Sequence, residues 1–428
     1  MWIEGEQVFV TGGAGFIGRH LVRALLARGA TCVIIDRDRR GSKSLGDLVT
    51  ADRVVVQPGD LRFVDLSSAL RGCTAVVHLA AHADVRSGED HPRDVFEDNV
   101  LATARLLDAM GTAGVTRLGF ASTSTVYGEA TVLPTPEDYA PLRPISIYGS
   151  SKLAAEGLIH GYAAKHGLSA VVWRLANVVG PGGTRGVVPD FIRRLRANPK
   201  ELEILGRKPG TRKSYVHVDD VVDAMVRTWP KARRGVEAFN IGSEDAITVK
   251  EVADLVCRAL ELPKVRYRWT GGANGGGWRG DVRGMTLAVD RLKARGWRPR
   301  HRSAEAVLRA AKELVGGPEI PHRAPRADKY APVIASSMDE KILTKHPQGK
   351  KGVHISREKY ETMRVTILSV LRKNPLTHDE LTAAVENRLR GKFEGSIPWY
   401  MEATKLDLEA KKVIERVARK GPATYRLR

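Results

Sequence analysis

Tyr148-Gly149-Ser150-Ser151-Lys152 sets a phenol and an ammonium four residues apart, which places both on one face of a helix. A tyrosine titrates near pH 10 and is a poor base at neutrality. A neighbouring lysine charge favours the phenolate, so Tyr148 can take a proton from a substrate hydroxyl with Lys152 beside it. Taken alone, Tyr-x-x-x-Lys arises by chance in many helices. A second group lies upstream, where Ala121-Ser122-Thr123-Ser124-Thr125-Val126-Tyr127-Gly128 closes an apolar run in hydroxyl residues. Thr123 can hydrogen-bond a reacting oxygen and relay its proton; the ordinary alternative is a solvated turn.

A glycine-rich turn supplies a third element. Val8-Phe9-Val10 runs into Thr11-Gly12-Gly13-Ala14-Gly15-Phe16-Ile17-Gly18, with a helical pattern starting near Phe16. Gly12, Gly15 and Gly18 suit a tight turn, a close backbone approach to a pyrophosphate and close helix–strand packing, and Phe16 and Ile17 open the helix whose N-terminus faces that anion. Asp36 ends the next strand, 24 residues after Gly12. A carboxylate there accepts hydrogen bonds from ribose hydroxyls and repels a 2′-phosphate, so the pattern favours NAD over NADP. Arg37 and Arg39 follow directly, and arginine in this turn can instead accommodate the extra phosphate. Asp60-Leu61 ends the third strand, where the carboxylate either faces adenine or caps the next helix. His78-Leu79-Ala80-Ala81 ends the fourth with small residues that let the cofactor lie flat, and His78 reads as a packed strand residue.

The elements that must position these groups alternate. Short β-branched runs at Val8-Val10, Cys32-Ile35, Val54-Val56, Ala75-Leu79, Leu118-Ala121 and Val171-Leu175 are separated by amphipathic stretches such as Ile17-Ala27, Val95-Met110 and Ser151-Lys165. That predicts an α/β fold, a Rossmann-type doubly wound parallel sheet. After Gly180, loops rich in glycine, proline and arginine suggest a smaller, irregular substrate lobe. The expected division is a first domain over 1–316, with a nucleotide-binding core over 1–176 and the lobe over 177–316, then a linker over 317–337 and a module over 338–428. The segment Gly316–Ser337 carries four prolines. The three cysteines, Cys32, Cys73 and Cys257, have no metal or redox spacing, so no metal is expected. With no signal-peptide pattern and no run long enough to span a bilayer, a reducing cytoplasm and no membrane are the expectation. The net charge of +20 suits an anionic partner without choosing one.

In these pieces the chain resembles the extended short-chain dehydrogenase/reductase family, in its nucleotide-sugar epimerase and dehydratase branch. The resemblance rests on Gly12, Gly15 and Gly18, Asp36, Asp60, His78 to Ala81, Asn99, Ser122 to Gly128 and Tyr148 to Lys152. It continues through Arg174-Leu175-Ala176-Asn177-Val178-Val179-Gly180-Pro181, Tyr215-Val216-His217-Val218-Asp219-Asp220 and Phe239-Asn240-Ile241-Gly242, so it spans residues 8 to about 300. It implies NAD as cofactor, Tyr148 as base, Lys152 on the nicotinamide ribose, Asn99 in the cofactor site and Asn177 beside the substrate diphosphate. A homodimer is the assembly expected here. Family 4,6-dehydratases carry an acid pair directly after the catalytic threonine, and the decarboxylases a glutamate where Thr125 stands; here those positions are Ser124 and Thr125. The resemblance therefore points to epimerisation at C4, with UDP-glucose/UDP-galactose as first choice. Dehydratase, decarboxylase and non-catalytic NAD-sensing readings remain the alternatives. Arg212 matches a family diphosphate arginine. Where the family's second arginine is expected, this chain has Trp278, with Arg279 one place later.

From Met338 the pattern is three helices, Arg357-Leu371, Leu381-Leu389 behind the capped start Thr377-His378-Asp379-Glu380, and Ser396-Lys411, then strands Val413-Ala418 and Ala423-Leu427. This order predicts an α+β winged-helix-like module. It carries 20 Lys/Arg against 12 Asp/Glu, so the excess charge is spread over both parts. Glu402, Asp407 and Glu409 on the third helix are poor company for phosphates, which makes protein contact or dimerisation the expectation over nucleic-acid binding. Ile367, Leu371, Leu381, Val385, Leu406 and Val413 are its expected core.

Overall fold

A computed structural model describes residues 3–37, 45–46, 48, 53–228, 235–272, 276–278, 280–317, 341–344, 346–348, 352–371, 374–390, 393, 395–417 and 423–427. Contacts divide the chain into two units, Met1–His322 and Arg323–Arg428.

The first unit opens with β1 (Gln7–Thr11), α1 (Phe16–Leu26), β2 (Thr31–Asp36), β3 (Val54–Pro58), α2 (Leu66–Ala69) and β4 (Ala75–His78). Then come α3 (Val85–Asp90), α4 (Pro92–Phe96), α5 (Ala102–Ala113), β5 (Arg117–Thr123), α6 (Ile147–His166) and β6 (Ser169–Leu175). Past them lie β7 (Asn177–Val179), α7 (Val187–Ala197), β8 (Glu201–Ile204), β9 (Arg212–Lys213), β10 (Tyr215–His217), α8 (Val218–Thr228) and β11 (Gly235–Ile241). The unit closes with β12 (Ile247–Thr248), α9 (Val249–Ala259), β13 (Arg266–Trp269), β14 (Gly284–Met285), α10 (Asp290–Lys293) and α11 (Ser303–Gly316).

Seven strands form one parallel sheet in the order β11-β6-β5-β4-β1-β2-β3. Its apolar runs are buried on both faces because helices cover each side. One face packs Leu21, Val22 and Leu25 of α1 with Val221 and Met225 of α8; the other packs Leu106 and Met110 of α5 with Ala155 and Ile159 of α6. The chain order turns back between β1 and β4. In a doubly wound sheet that switch opens a crevice beyond the carboxyl ends of the strands, and the glycine turn, Ala80 and Thr123 all lie at those ends.

Two expectations change. The helical pattern Val95-Met110 is not one continuous helix: α4 passes through a π turn, Glu97–Leu101, into α5, and Asn99 sits in that turn. Such a bulge re-aims side chains and is frequent at functional sites. The stretch after Gly180 is also more ordered than an irregular lobe. Val188, Phe191 and Ile192 of α7, Val252 and Val256 of α9, and Val307 and Ala310 of α11 make a core of their own, while α8 and β11 return to the main sheet.

The second unit contains β15 (Lys341–Leu343), β16 (His354–Ser356), α12 (Arg357–Leu371), β17 (Leu376–Thr377), α13 (His378–Leu389), α14 (Ile397–Ala410), β18 (Ile414–Val417) and β19 (Thr424–Leu427). The three helices and the terminal hairpin fall where the pattern put them, and Thr377 with Glu380 forms the expected capping box. The β15–β16 hairpin and β17, which completes a sheet ordered β17-β19-β18, were not foreseen. Ile367, Leu371, Leu381 and Val385 are core residues and Val413 packs against them, but Leu406 does not join; Leu408 does. Asp407 is fully buried, bonded by Tyr360 and Lys411, so it does not face outward. The linker over 317–337 lies, apart from Gly317, outside the described residues. Among the described residues no helix is long and apolar enough to cross a membrane.

Candidate active site

The glycine turn is built for close approach. Gly12 has φ +71°, and a Cβ on it would stand 2.8 Å from the backbone nitrogen of Ala80. Leu79 N donates to Thr11 O at 3.1 Å and Ala80 N to Thr11 Oγ1 at 3.2 Å, which locks the ends of β1 and β4 together. Gly15, extended at φ −70°, precedes α1 with no side chain capping the helix, so the first-turn N–H groups around Phe16 and Ile17 are open to an anion. A Cβ on Gly18 would collide with Gly12 O, which explains the third glycine as a packing requirement. The Asp36 carboxylate ends β2 and accepts from Ala14 N at 3.1 Å, so it lies against the same turn. These features fit a dinucleotide.

Arg37, the residue that left the 2′-phosphate question open, is held by acids: it donates to Asp98 at 3.1 and 2.8 Å and pairs with Asp60 at 3.6 Å. Arg39 lies outside the described residues. Asp60 also pairs with Arg62 at 2.8 Å. Burial opposes its ionisation, but the hydrogen bonds of Arg62 and the charges of Arg37 and Arg62 outweigh that and hold the carboxyl below its ordinary range. Asp60 is not the cap of the next helix; Asp65 is, accepting from Ser67 N and Ser68 N. Leu61 beside it is buried. Asn99 fastens the Leu79–Ala81 stretch indirectly: it accepts from His82 N at 2.7 Å and donates to His82 O at 3.2 Å and to Ser151 Oγ at 2.9 Å. His78 is buried between Thr11 Oγ1 (2.6 Å) and Thr103 Oγ1 (2.9 Å). Burial, then the Lys152 charge, push it down to about 3, so it is a neutral strand residue.

The proposed reacting groups converge. Ser146 caps α6, accepting from Gly149 N at 3.1 Å, and Tyr148 and Lys152 follow on one face of that helix. The Tyr148 hydroxyl shares a hydrogen bond with Thr123, whose oxygen is also 3.1 Å from Thr125 Oγ1. Burial drives the phenol up to about 12, against the Thr123 hydrogen bond and the charge of Arg185. The cation acting on the phenol is thus Arg185, which no sequence pattern singled out. The Lys152 ammonium donates to Ala121 O at 2.9 Å, lies 4.7 Å from the centre of the Phe120 ring and is 2% exposed. Burial pulls it down to about 7, against the charge of Glu156. No carboxylate is among the hydrogen-bond partners of Thr123, Thr125 or Tyr148 in the described residues.

On the lobe side, Asn177 donates to Ser214 O at 3.0 Å across the β7–β10 region. Arg212 is exposed on β9, where its charge acts on Glu251 at the start of α9. Side chains alternate along a strand, so it is Lys213 that turns inward, paired with buried Asp281 at 2.5 Å and 5.5 Å from the Trp278 ring. Arg86 of α3 stacks on the same indole at 4.3 Å, and the indole N–H is buried without a partner among the described residues. Arg279 lies outside the described residues. Nothing in the spacing of Lys213 or Arg86 marks either residue in the sequence.

Residues 8–242 match the model of the NAD dependent epimerase/dehydratase family, and residues 341–425 match a family described as of unknown function. The chain is 33% identical over 269 residues to UDP-glucose 4-epimerase of Corynebacterium glutamicum, covering 59% of this chain and 80% of that one. It is 31% identical to UDP-glucose 4-epimerase of Azospirillum brasilense, covering 71% of this chain and 90% of that one. Among solved structures it resembles the NAD complex of Thermus thermophilus UDP-glucose 4-epimerase, with TM-score 0.63, 33% identity, and 72% and 99% of the two chains covered. The chain belongs to the NAD dependent epimerase/dehydratase family.

Proposed function

We propose that the first unit interconverts UDP-glucose and UDP-galactose by epimerisation at C4 of the sugar, with NAD as resident cofactor. The observation that carries this is the hydrogen-bonded Thr123–Tyr148 pair, with Lys152 one turn along α6 and, among the described residues, no carboxylate on either hydroxyl. When bound at the glycine turn, NAD supplies the hydride acceptor and, once reduced, the hydride donor. Tyr148 takes the proton of the C4 hydroxyl and later returns it, and Thr123 hydrogen-bonds the same oxygen. The 4-keto sugar turns over in the pocket before reduction on its other face. Dehydration or decarboxylation at this centre would call for an acid or base that Ser124 and Thr125 do not supply. Gly12, Gly15, Phe16, Ile17, Gly18, Asp36, Asp60, Leu61, Leu79, Ala80, Ala81 and Asn99 form the cofactor side, and Asn177 and Lys213 face the substrate diphosphate. The active species is a homodimer in the cytoplasm. The second unit, in which a first hairpin precedes the order helix, strand, helix, helix, hairpin, acts as a winged-helix-like protein-contact module. Incubation with UDP-galactose tests the reading: formation of UDP-glucose without added NAD supports it, and no conversion in protein shown to hold NAD refutes it.

A further inference from the structure

Three contacts join α6 to the end of β5. Tyr148, Lys152 and Glu156 stand one helical turn apart on one face. Tyr148 shares its hydrogen bond with Thr123, Lys152 Nζ donates to Ala121 O at 2.9 Å, and Ser122 Oγ donates to Glu156 Oε1 at 2.5 Å. Each of the three residues that end β5 is therefore gripped by one turn of the helix. The third contact is also an anchor. Glu156, 3% exposed, accepts from Arg174 Nε at 3.2 Å and from its terminal nitrogen at 2.7 Å, and Arg174 in turn donates to Tyr127 OH at 3.0 Å and Glu137 O at 2.9 Å.

The charges that face Lys152 are few. Its own helix presents Tyr148 and Glu156, the latter itself bound by Arg174 of β6; β4 presents neutral His78; β5 presents the Phe120 ring. Lys152 makes no ion pair within 4.0 Å among the described residues, so Glu156 is the anion whose field favours its protonated form.

We propose that Glu156 is a positioning residue of the epimerase centre: its carboxylate holds Ser122, and through it the strand end that carries Thr123, and supplies the negative charge that complements Lys152. The proposal rests on the reading of Thr123, Tyr148 and Lys152 as the reacting groups.

The test is Glu156→Gln, which keeps the shape and removes the charge. The rate of UDP-galactose conversion at saturation is measured against pH, with bound NAD and thermal unfolding as controls. Loss of the anion makes Lys152 give up its proton at lower pH, so the falling limb on the basic side moves down by about one unit. With the limb near 7, the ratio of kcat at about pH 8.5 to kcat at about pH 6.5 then drops roughly threefold relative to the unmodified chain. A lower kcat with an unchanged pH profile overturns the proposal, because a purely structural role predicts that result. If the glutamine variant does not fold, since it leaves Arg174 buried and unpaired, Glu156→Asp keeps a charge for Arg174 and draws it back from Ser122. In that variant the proposal expects kcat to fall with NAD still bound, because Ser122 is released, while the basic limb stays in place, because the charge is kept; an unchanged kcat overturns it. If the unmodified chain converts no UDP-galactose, the reading of the site fails with it; if only the variant's profile is unchanged, the inference alone fails.

Discussion

Gly12→Ala separates the two demands that the cofactor turn makes on one residue. At φ +71° any L side chain is strained, which costs about 1–2 kcal/mol. The new methyl would also stand 2.8 Å from Ala80 N, 2.9 Å from Ala80 Cα and 3.0 Å from the Leu79 carbonyl carbon. All three are backbone atoms of the opposing strand end, so relief requires moving β1 and β4 apart where they hold the dinucleotide. Gly114 provides the control: it ends α5 at φ +70° with nothing within 4 Å of its notional Cβ. Gly114→Ala should show the conformational cost alone. Both variants should fold, because a loss of about 1–2 kcal/mol is small beside the roughly 5–15 kcal/mol that holds a domain. Only Gly12→Ala should lose cofactor, and a further ~1.4 kcal/mol of displacement at the site lowers NAD affinity about tenfold. The assay is the NAD released per chain on denaturation, with titration of added NAD against activity. Equal NAD content and affinity in the two variants would refute the argument that contact with Ala80 shapes the site.

Four further outcomes follow from the geometry. Tyr148→Phe should keep its fold and its NAD while turnover falls at least about a hundredfold, measured as initial rate with UDP-galactose. Lys152→Met should unfold at a higher temperature than the unmodified chain near pH 7, because the folded lysine is pulled down to about 7 and its burial as a cation costs stability below that pH. The advantage should shrink as pH rises toward the lysine's ordinary value, where the unfolded chain also sheds its proton; a constant difference across that range would contradict the assignment. Lys213→Met should raise KM for UDP-galactose about tenfold while Arg212→Ala changes it less than about twofold, and the reverse order would restore Arg212 to the substrate site. A chain ending near residue 330 should stay folded and keep the epimerase activity, since all the proposed reacting residues precede it; loss of activity in a folded truncation would show that the second unit completes the site or its dimer.

The fold was legible where one periodicity dominated. Val8-Val10 and Cys32-Ile35 are uniformly apolar, and Val171-Leu175 apolar but for Arg174, because both sheet faces are covered, and each became a central parallel strand. The second unit's helices were legible for a similar reason, with the Thr377–Glu380 box marking one start to the residue. The π turn at Glu97–Leu101 was not, because one extra residue in a helix leaves the apolar spacing almost unchanged. Strand β17 is two residues long and contributes too short a pattern to read. Leu406 and Leu408 both fit an apolar stripe within the tolerance of such patterns, and only packing chose Leu408.

Much of the candidate site was legible as motifs, and what escaped was the set of charges that acts on it. Thr123, Tyr148 and Lys152 were found together because their spacing implies a shared helix face and strand end. The sign of their mutual influence was not, since it depends on burial. Lys152 was expected to draw Tyr148 toward the phenolate, but its ammonium is turned to Ala121 O, and Thr123 and Arg185 are the groups that favour the phenolate, against burial. Arg212 and Lys213 are adjacent, and alternation along a two-residue strand sends one outward and the other to Asp281. Glu156 belongs to the same class. It stands one turn after Lys152 in a helix with many polar residues, and nothing in its spacing distinguishes it from a solvated glutamate. Only the closure of β5 and β6 over α6 strips its water, and once stripped it must be paired, which fixes Ser122 and Arg174 in turn.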